Sequence, residues 1–171
     1  LFRYSADGVK DTSFGELNLE PLGWESRTYF LNNIALGPSD QLYVGAHVGK
    51  SSSDSVSVLQ ADGSYITTFS DDGFARVVYG SLKDRCLDIV ALADGSMVCA
   101  GVAGEADGAR LHIVKLLANG DLDTTFGTGG KVTIADTNMT GGDSSGHMRM
   151  TIRELANGQF LVAGANKVED S

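Results

Sequence analysis

Basic residues, prolines, cysteines and long apolar runs are all scarce in this chain of 171 residues. Thirteen Lys and Arg against 22 Asp and Glu leave a net charge of −9, and this surplus of acid would repel a phosphate backbone. The composition therefore argues against nucleic acid and anionic membrane surfaces as partners. No apolar run approaches the roughly 18 residues that a membrane helix needs, so membrane insertion is not expected. Two prolines beside 22 glycines predict many tight turns rather than a flexible linker.

The sequence does contain a pattern that recurs three times. Ala-Asp-Gly or Ala-Asn-Gly is followed each time by a phenylalanine, and Phe14, Phe69 and Phe126 are spaced by 55 and 57 residues. We expect these rings to anchor the turn between repeats against the core. The second and third copies also carry Asp94-Gly95 and Asn157-Gly158 between apolar runs. Such dipeptides favour a two-residue hairpin turn in which both residues have positive φ.

Short runs rich in β-branched and apolar residues complete the pattern, and no segment indicates a helix. We name the four strands predicted in each copy a to d. In the second copy they cover Phe74–Tyr79, Asp84–Leu92, Ser96–Ala103 and Ala109–Leu117. Four short strands roughly every 55 to 60 residues favour an all-β, β-propeller-like fold of three four-stranded antiparallel blades. A β-sandwich or a β-prism is the alternative on strand count.

The repeats divide a single domain into four parts. Residues 1–8 correspond to a strand d that completes another blade, 9–63 form repeat 1, 64–120 form repeat 2, and 121–171 form repeat 3 without its last strand. Two interpretations stay open. The chain is a partial propeller cut from a longer array, or it is half of a six-bladed ring, a homodimer formed by exchange of N-terminal strands.

The two cysteines fall in predicted strands b and c of the second copy. A two-residue turn at Asp94-Gly95 would place Cys99 opposite Val90, with Cys86 four residues further along, roughly 13 Å away at about 3.3 Å per residue. A disulfide needs Cα atoms closer than about 7 Å. We therefore expect two free, buried thiols.

One hydrolase-like motif and the three histidines are the candidates for catalysis or metal binding, and neither has the sequence context that such a site requires. Gly142–Gly146 fits the G-x-S-x-G pattern of hydrolases, but this polar, glycine-rich loop lacks the strand and helix of a nucleophile elbow. His47, His112 and His147 fall at non-equivalent places in their copies, without metal-ligand spacing. We predict no catalytic residues.

Calcium is the one cofactor for which the sequence offers candidate ligands. The weak candidates are Asp71, Asp72, Asp121 and Asp123, which belong to no EF-hand pattern. Aspartate at such positions is first of all a turn former. The expectation is therefore that no cofactor is bound.

The third copy carries the clearest family signature. Leu122–Val132 reads Leu-Asp-Thr-Thr-Phe-Gly-Thr-Gly-Gly-Lys-Val, and Phe160–Gly164 follows as an apolar strand ending in Val-Ala-Gly. This resembles the bacterial delta-60 repeat family. The resemblance implies a propeller-like β fold in large, surface-associated or secreted proteins, and no defined activity. The first copy departs from the pattern at Glu16–Pro21, and the second has Ser70–Gly73 in place of the glycine-rich turn.

The loops that differ between copies are the candidate binding surface. Binding residues concentrate in loops held on a rigid scaffold, and an aromatic beside polar groups suits a sugar or a peptide. We therefore predict contact with a carbohydrate or protein partner at Trp24, Arg27, Tyr79 and His147. The expected function is a non-catalytic structural, adhesion or binding module, extracellular or at the cell surface. A lectin-like propeller and a propeller enzyme, lyase or hydrolase, are the alternatives.

Overall fold

The computed structural model describes residues 1–14, 29–48, 54–77, 82–105, 108–139 and 150–164. These residues contain two short 3₁₀ turns, Pro38–Asp40 and Phe69–Asp71, and no α-helix. Nothing in this part of the chain is a helix long and apolar enough to cross a membrane. The described strands are β1 (Tyr29–Leu36), β2 (Leu42–Val48), β3 (Asp54–Leu59), β4 (Phe74–Val77), β5 (Leu82–Ala91), β6 (Met97–Glu105), β7 (Gly108–Leu116), β8 (Lys131–Met139), β9 (Met150–Glu154) and β10 (Phe160–Gly164).

The strands form three antiparallel sheets that follow one another along the chain. The first sheet has the order β1-β2-β3-β4 and the second β5-β6-β7-β8. The third sheet consists of β9 and β10 within the described residues. The predicted all-β, β-propeller-like fold is confirmed.

The grouping of strands into sheets differs from the prediction by one strand. The segment predicted as Phe74–Tyr79 was expected to open the second sheet, but β4 pairs with β3 and so closes the first. In the same way β8 pairs with β7. The reason is the tight turn after strand d, which folds strand a back onto it as a hairpin partner. Each complete sheet therefore reads b-c-d-a.

The turn after strand d is the same in all three copies. Its base is a single antiparallel bridge, Tyr4 to Lys10, Leu59 to Tyr65 and Leu116 to Leu122. Phe14 and Phe69, which follow the first two bridges, are buried, and Phe126 makes an edge-on contact with Phe160 at 6.2 Å. The predicted anchoring role of these rings is thus confirmed.

The middle sheet is buried on both faces, and β6 shows this most clearly. Met97, Cys99 and Ala103 belong to the apolar cluster shared with the first sheet. Val98, Ala100 and Val102 belong to the cluster shared with the third. Because successive side chains of a strand point to opposite faces, one strand supplies both cores. Full burial of a Val or Met side chain contributes about 1.5–3 kcal/mol, so both interfaces stabilise the stack.

The hairpin turn between β5 and β6 is wider than the dipeptide predicted. Gly95 has a φ of 82°, but Asp94 does not share a positive φ. The N–H of Gly95 donates to the carbonyl of Leu92, and the N–H of Leu92 donates to the carbonyl of Ser96. This is a type I turn closed by a left-handed glycine, and the last strand pair before it is Ala91 with Met97.

The wider turn and a β-bulge bring the two cysteines together. The turn places Cys99 opposite Ile89 rather than Val90. A register shift between Cys86 and Asp88 then absorbs one residue, so that Cys86 pairs with Gly101. Cys86 and Cys99 become diagonal neighbours with Cα atoms 5.9 Å apart, and they form a disulfide. The prediction of two free thiols is wrong.

The second copy keeps the phenylalanine turn without its glycine. Ser70 and Asp71 have φ values of 52° and 66°, the left-handed region that Gly127 occupies in the third copy. The N–H of Gly73 donates to Phe69, just as that of Gly130 donates to Phe126. The departure in sequence keeps the closing hydrogen bond but changes the backbone inside the turn, since Asp72 has a φ of −130° where Gly129 has 60°.

Reduction of the Cys86–Cys99 disulfide should lower the free energy of unfolding by about 3 kcal/mol, because the bond closes a loop with a sequence separation of 13. Urea denaturation with and without dithiothreitol measures this. The Cys86→Ala/Cys99→Ala variant is the control, since dithiothreitol should not change its midpoint. Identical midpoints for the unmodified chain in both buffers would contradict the disulfide.

Candidate functional site

The antiparallel registers sort the connections between strands into two ends of each sheet. Residues 37–41, 60–73, 92–96, 117–130 and 155–159 lie at one end, which we call the turn end. At the other end, the loop end, β1, β5 and β9 begin and β2, β4, β6, β8 and β10 finish. The turn sequences recur from copy to copy, whereas the loop sequences differ. The two ends therefore differ in how similar the copies are.

The four predicted binding residues lie outside the described residues. In the sequence Trp24 and Arg27 precede β1, Tyr79 precedes β5 and His147 precedes β9. The G-x-S-x-G segment, Gly142–Gly146, also falls outside the described residues.

Aspartates of the turn end, and of the equivalent N-terminal turn at residues 5–14, build the turns themselves. In four of these aspartates, one carboxylate oxygen accepts two hydrogen bonds from the residue two positions later, one from its N–H and one from its hydroxyl. The pairs are Asp11 with Ser13, Asp62 with Ser64, Asp94 with Ser96, and Asp123 with Thr125. These bonds favour the ionised form and hold the pKa of all four below the ordinary 3.8. The pKa of Asp11 falls to about 2, chiefly through the Ser13 hydroxyl and then Arg3.

The calcium candidates take part in the same turns. Asp123 uses its second oxygen for an ion pair with Lys115 at 3.0 Å. Asp121 accepts from the Asn119 amide at 2.7 Å, and Asp72 accepts from the N–H of Phe74 at 2.9 Å. Asp71 is one of the left-handed turn residues. In the part of the chain that the structure describes, no three His, Cys, Asp or Glu side chains are grouped to hold a metal ion.

Hydrogen bonds tie each turn to the next one around the stack. The Arg3 guanidinium, paired with Asp11 at 2.8 Å, donates to the carbonyl of Ala61 at 2.6 Å. The N–H of Ser70 donates to the carbonyl of Asn119 at 2.7 Å. These bonds join the three equivalent turns that follow strand d.

Tyr43 adds a buried link between the first two sheets at this end. Its hydroxyl donates to the carbonyl of Gly95 at 2.8 Å, across the interface. Burial, and secondarily the charge of Asp94, raises the pKa of the phenol. The hydroxyl therefore stays protonated and keeps donating at neutral pH.

Asp54 is a fully buried carboxylate between the first and second sheets. One of its oxygens accepts from the N–H of Cys86 at 2.7 Å and from the Asn32 amide at 2.9 Å. Asn32 and Asn33 also donate to the carbonyl of Cys86, at 3.2 and 3.1 Å. The β-bulge that positions the disulfide is therefore bonded from the neighbouring sheet through both its N–H and its C=O.

Asp88 has the corresponding role between the second and third sheets. One of its oxygens accepts from the N–H of Ile152, the Thr151 hydroxyl and the Arg153 guanidinium, each at 2.9 Å. Sequence reasoning missed both Asp54 and Asp88. The sequence carried little signal for either residue, since Asp54 is the first residue of β3 and Asp88 shares β5 with three other charged residues.

Comparison with known proteins agrees with stacked four-stranded sheets. A family model described as "Domain of unknown function (DUF5122) beta-propeller" matches residues 92–126. The match runs from the hairpin turn of the second sheet through β6 and β7 to the turn phenylalanine. The chain is β-propeller-like. No curated protein and no solved structure matches it.

The two histidines in the described residues lie on different strands. His112, on β7, is 3% exposed, and its Nδ1 lies 3.1 Å from the Thr133 hydroxyl on β8. His47 lies on β2, and His147 falls outside the described residues. The described histidines therefore share no common site.

Acid should destabilise the propeller in a defined window. The carboxylates whose pKa is lowered in the folded state contribute stability above the unfolded pKa, and this contribution is lost as pH falls towards the folded value. We expect a constant urea midpoint from pH 7 to about 4 and a falling midpoint as pH drops from 3.8 to about 2. NMR titration of Asp11 is the control and should give a pKa of about 2. Equal midpoints at pH 6 and at about pH 2.5 would contradict the role of these turns.

Proposed function

We propose that the chain is a non-catalytic structural and binding module of a bacterial surface or secreted protein. Its propeller presents the loop end to a carbohydrate or protein partner. The turn end holds the sheets in place. The bacterial assignment comes from the resemblance of its repeats, above all Leu122–Val132, to delta-60 repeats.

The disulfide between Cys86 and Cys99 is the observation that carries this proposal. Disulfides persist in oxidising surroundings such as the cell surface and the extracellular space, and are rare in a reducing cytosol. Both cysteines are fully buried, in strands that neighbour one another in the middle sheet. A structural rather than a redox-active bond therefore fits, and it favours an extracellular or cell-surface location.

The contrast between conserved turn sequences at one end and variable loop sequences at the other supports recognition at the loop end. Aspartates at the turn end accept hydrogen bonds within the turns, and adjacent turns are bonded to each other. This rigid frame supports loops that differ between copies, which is the usual arrangement of binding residues on a repeat scaffold. From the turn phenylalanine to the hairpin leucine the copies span 22, 23 and 29 residues. That variation places the extra length in the segment that carries His147.

The residue types at the loop end suit a sugar or a peptide. An indole or phenol ring stacks on the apolar face of a sugar, and guanidinium and imidazole groups donate to hydroxyls or carbonyls. Trp24, Arg27 and Tyr79 supply such groups. A lectin-like propeller is the carbohydrate version of the same proposal, and the probe that binds will distinguish it from a protein-binding module.

The test is binding by the unmodified chain and by a Trp24→Ala/Tyr79→Ala variant. A glycan array, and a pull-down from bacterial envelope extract, should each be run with calcium and with a chelator. We expect at least a tenfold loss of affinity in the variant. Leu155→Ala, which shortens an exposed side chain at the turn end, is the control and should bind normally.

Binding that survives the double substitution would contradict a loop-end site. Free thiols at both cysteines in protein taken from its native cells would contradict the proposed location. These two outcomes are independent, because one concerns the surface and the other the compartment.

A further inference from the structure

The chain contains two Asn-Gly peptides, and both lie at the turn end. Asn119-Gly120 belongs to the turn after β7, and Asn157-Gly158 to the hairpin turn between β9 and β10. The side-chain amide of asparagine reacts most readily with the main chain when glycine follows, because glycine has no Cβ to shield its nitrogen. In both turns the asparagine is exposed, and the glycine N–H donates to the carbonyl three residues earlier. The two peptides therefore start from the same local geometry.

The neighbouring turn fixes the first of these peptides. The carbonyl of Asn119 accepts from the N–H of Ser70 at 2.7 Å, while the N–H of Gly120 donates to Leu117 at 2.9 Å. Gly120 is buried, and a Cβ added to it would lie 2.9 Å from the Cβ of Ser70. Attack on the asparagine side chain requires this peptide plane to turn, which would break both bonds and push against Ser70. The Asn119-Gly120 peptide is thus held away from reaction.

In the middle sheet the hairpin turn between strands b and c is fixed in a different way. The Tyr43 hydroxyl of the first sheet donates to the carbonyl of Gly95 at 2.8 Å. Leu42 and Met97 are the first residues of β2 and β6, each a strand c, so Tyr43 and Val98 hold equivalent positions one residue later. The second sheet therefore has a valine where the first has a hydroxyl donor.

The Asn157-Gly158 turn lacks this bond between sheets. It follows the second sheet as the turn of the middle sheet follows the first, and the Val98 side chain has no group that can donate. Within the described residues, every hydrogen bond of residues 155–159 stays inside the turn. Asp94, which holds the same position in the complete middle sheet, is exposed, as Asn157 is. Exposure and the absence of a fixing bond therefore coincide at Asn157.

We propose that Asn157 is a site of spontaneous deamidation. The main-chain nitrogen of Gly158 attacks Cγ of Asn157 and gives up its proton, the bond from Cγ to Nδ2 breaks, and the amide group leaves as ammonia. The five-membered succinimide ring that results then adds water. Water at Cγ gives aspartate, and water at the main-chain carbonyl carbon gives isoaspartate. Water is the only co-reactant, so the reaction needs neither an enzyme nor an oxidant.

The middle sheet shows that this turn accepts the aspartate product. Oδ1 of Asp94 accepts from the N–H of Ser96 at 2.9 Å, as Oδ1 of Asn157 accepts from the N–H of Gln159 at 3.0 Å. The Gln159 side-chain amide accepts from Nδ2 of Asn157 at 2.7 Å and can rotate to donate to a carboxylate instead. Isoaspartate adds a carbon to the main chain and should open the turn. Either product adds one negative charge to a chain that already carries −9.

The two Asn-Gly peptides should therefore age at different rates in the folded chain. Incubation near neutral pH for several weeks, followed by tryptic digestion and tandem mass spectrometry, measures both, because peptides Leu116–Lys131 and Glu154–Lys167 contain one each. We expect Asn157 to gain the one mass unit that separates aspartate from asparagine at least fivefold faster than Asn119. In urea the two rates should converge, which separates the effect of the fold from that of local sequence. Equal rates in the folded chain, or an unmodified Asn157, would overturn the proposal.

An Asn-Gly peptide introduced into the middle sheet tests the role of the bond between sheets. Asp94→Asn places asparagine before Gly95, where the Tyr43 hydroxyl still fixes the turn, and should deamidate slowly. Asp94→Asn/Tyr43→Phe removes only the hydroxyl and should deamidate at least threefold faster at position 94. The rate at Asn157 is the internal control and should be the same in both variants. Equal rates at position 94 would contradict the explanation for the reactivity of Asn157.

Discussion

Along β6 alternate side chains enter two different apolar cores, and the architecture of the chain depends on this double burial. Val98, Ala100 and Cys99 are all fully buried although their side chains leave the strand in opposite directions. A sheet buried on both faces needs a neighbouring sheet on each side. The repeat thus produces a stack, because each copy buries surface against the copies before and after it.

Polar groups fix the register of this stack where apolar contacts alone would allow sliding. Asp54 bonds the bulge of β5 from the first sheet, and Asp88 bonds the backbone of β9 from the second. Leaving such a buried group without its partner costs about 1–3 kcal/mol. A shifted packing of the sheets would break these bonds. The bulge that Asp54 bonds also brings Cys86 within disulfide distance of Cys99.

Sequence reasoning predicted the features that all three copies share. It failed where a single copy departs locally from regular strand or turn geometry. The phenylalanine spacing identified the three copies and the turns, because Phe14, Phe69 and Phe126 occupy one structural position. The disulfide could not be predicted, since it depends on a single extra residue absorbed near Leu87 and on a turn wider than Asp94-Gly95. The assignment of β4 to the first sheet failed for a related reason. Periodicity locates a strand but does not say which of its two neighbours it pairs with.

The candidate binding site was less accessible to prediction than the fold. Trp24 and Arg27 were chosen as candidates for their aromatic and basic side chains. The residues around them do not recur in the other copies, so the repeat predicts nothing about their arrangement. The turn-end aspartates were predictable as turn formers from their spacing to Ser or Thr two residues on. Asp54 and Asp88 were not singled out, because Asp54 starts its strand and Asp88 lies in a strand with three other charged residues, so neither differs visibly from its neighbours.

A double-mutant cycle between Val98 on β6 and Ile152 on β9 tests the stacking most directly. Both side chains are fully buried in the cluster between the second and third sheets. Val98→Ala and Ile152→Ala should each lower the free energy of unfolding, by about 2 kcal/mol or more for the isoleucine. Their combined cost should differ from the sum by about 0.5 kcal/mol or more. Strictly additive losses, or losses near zero, would contradict a middle sheet buried on both faces.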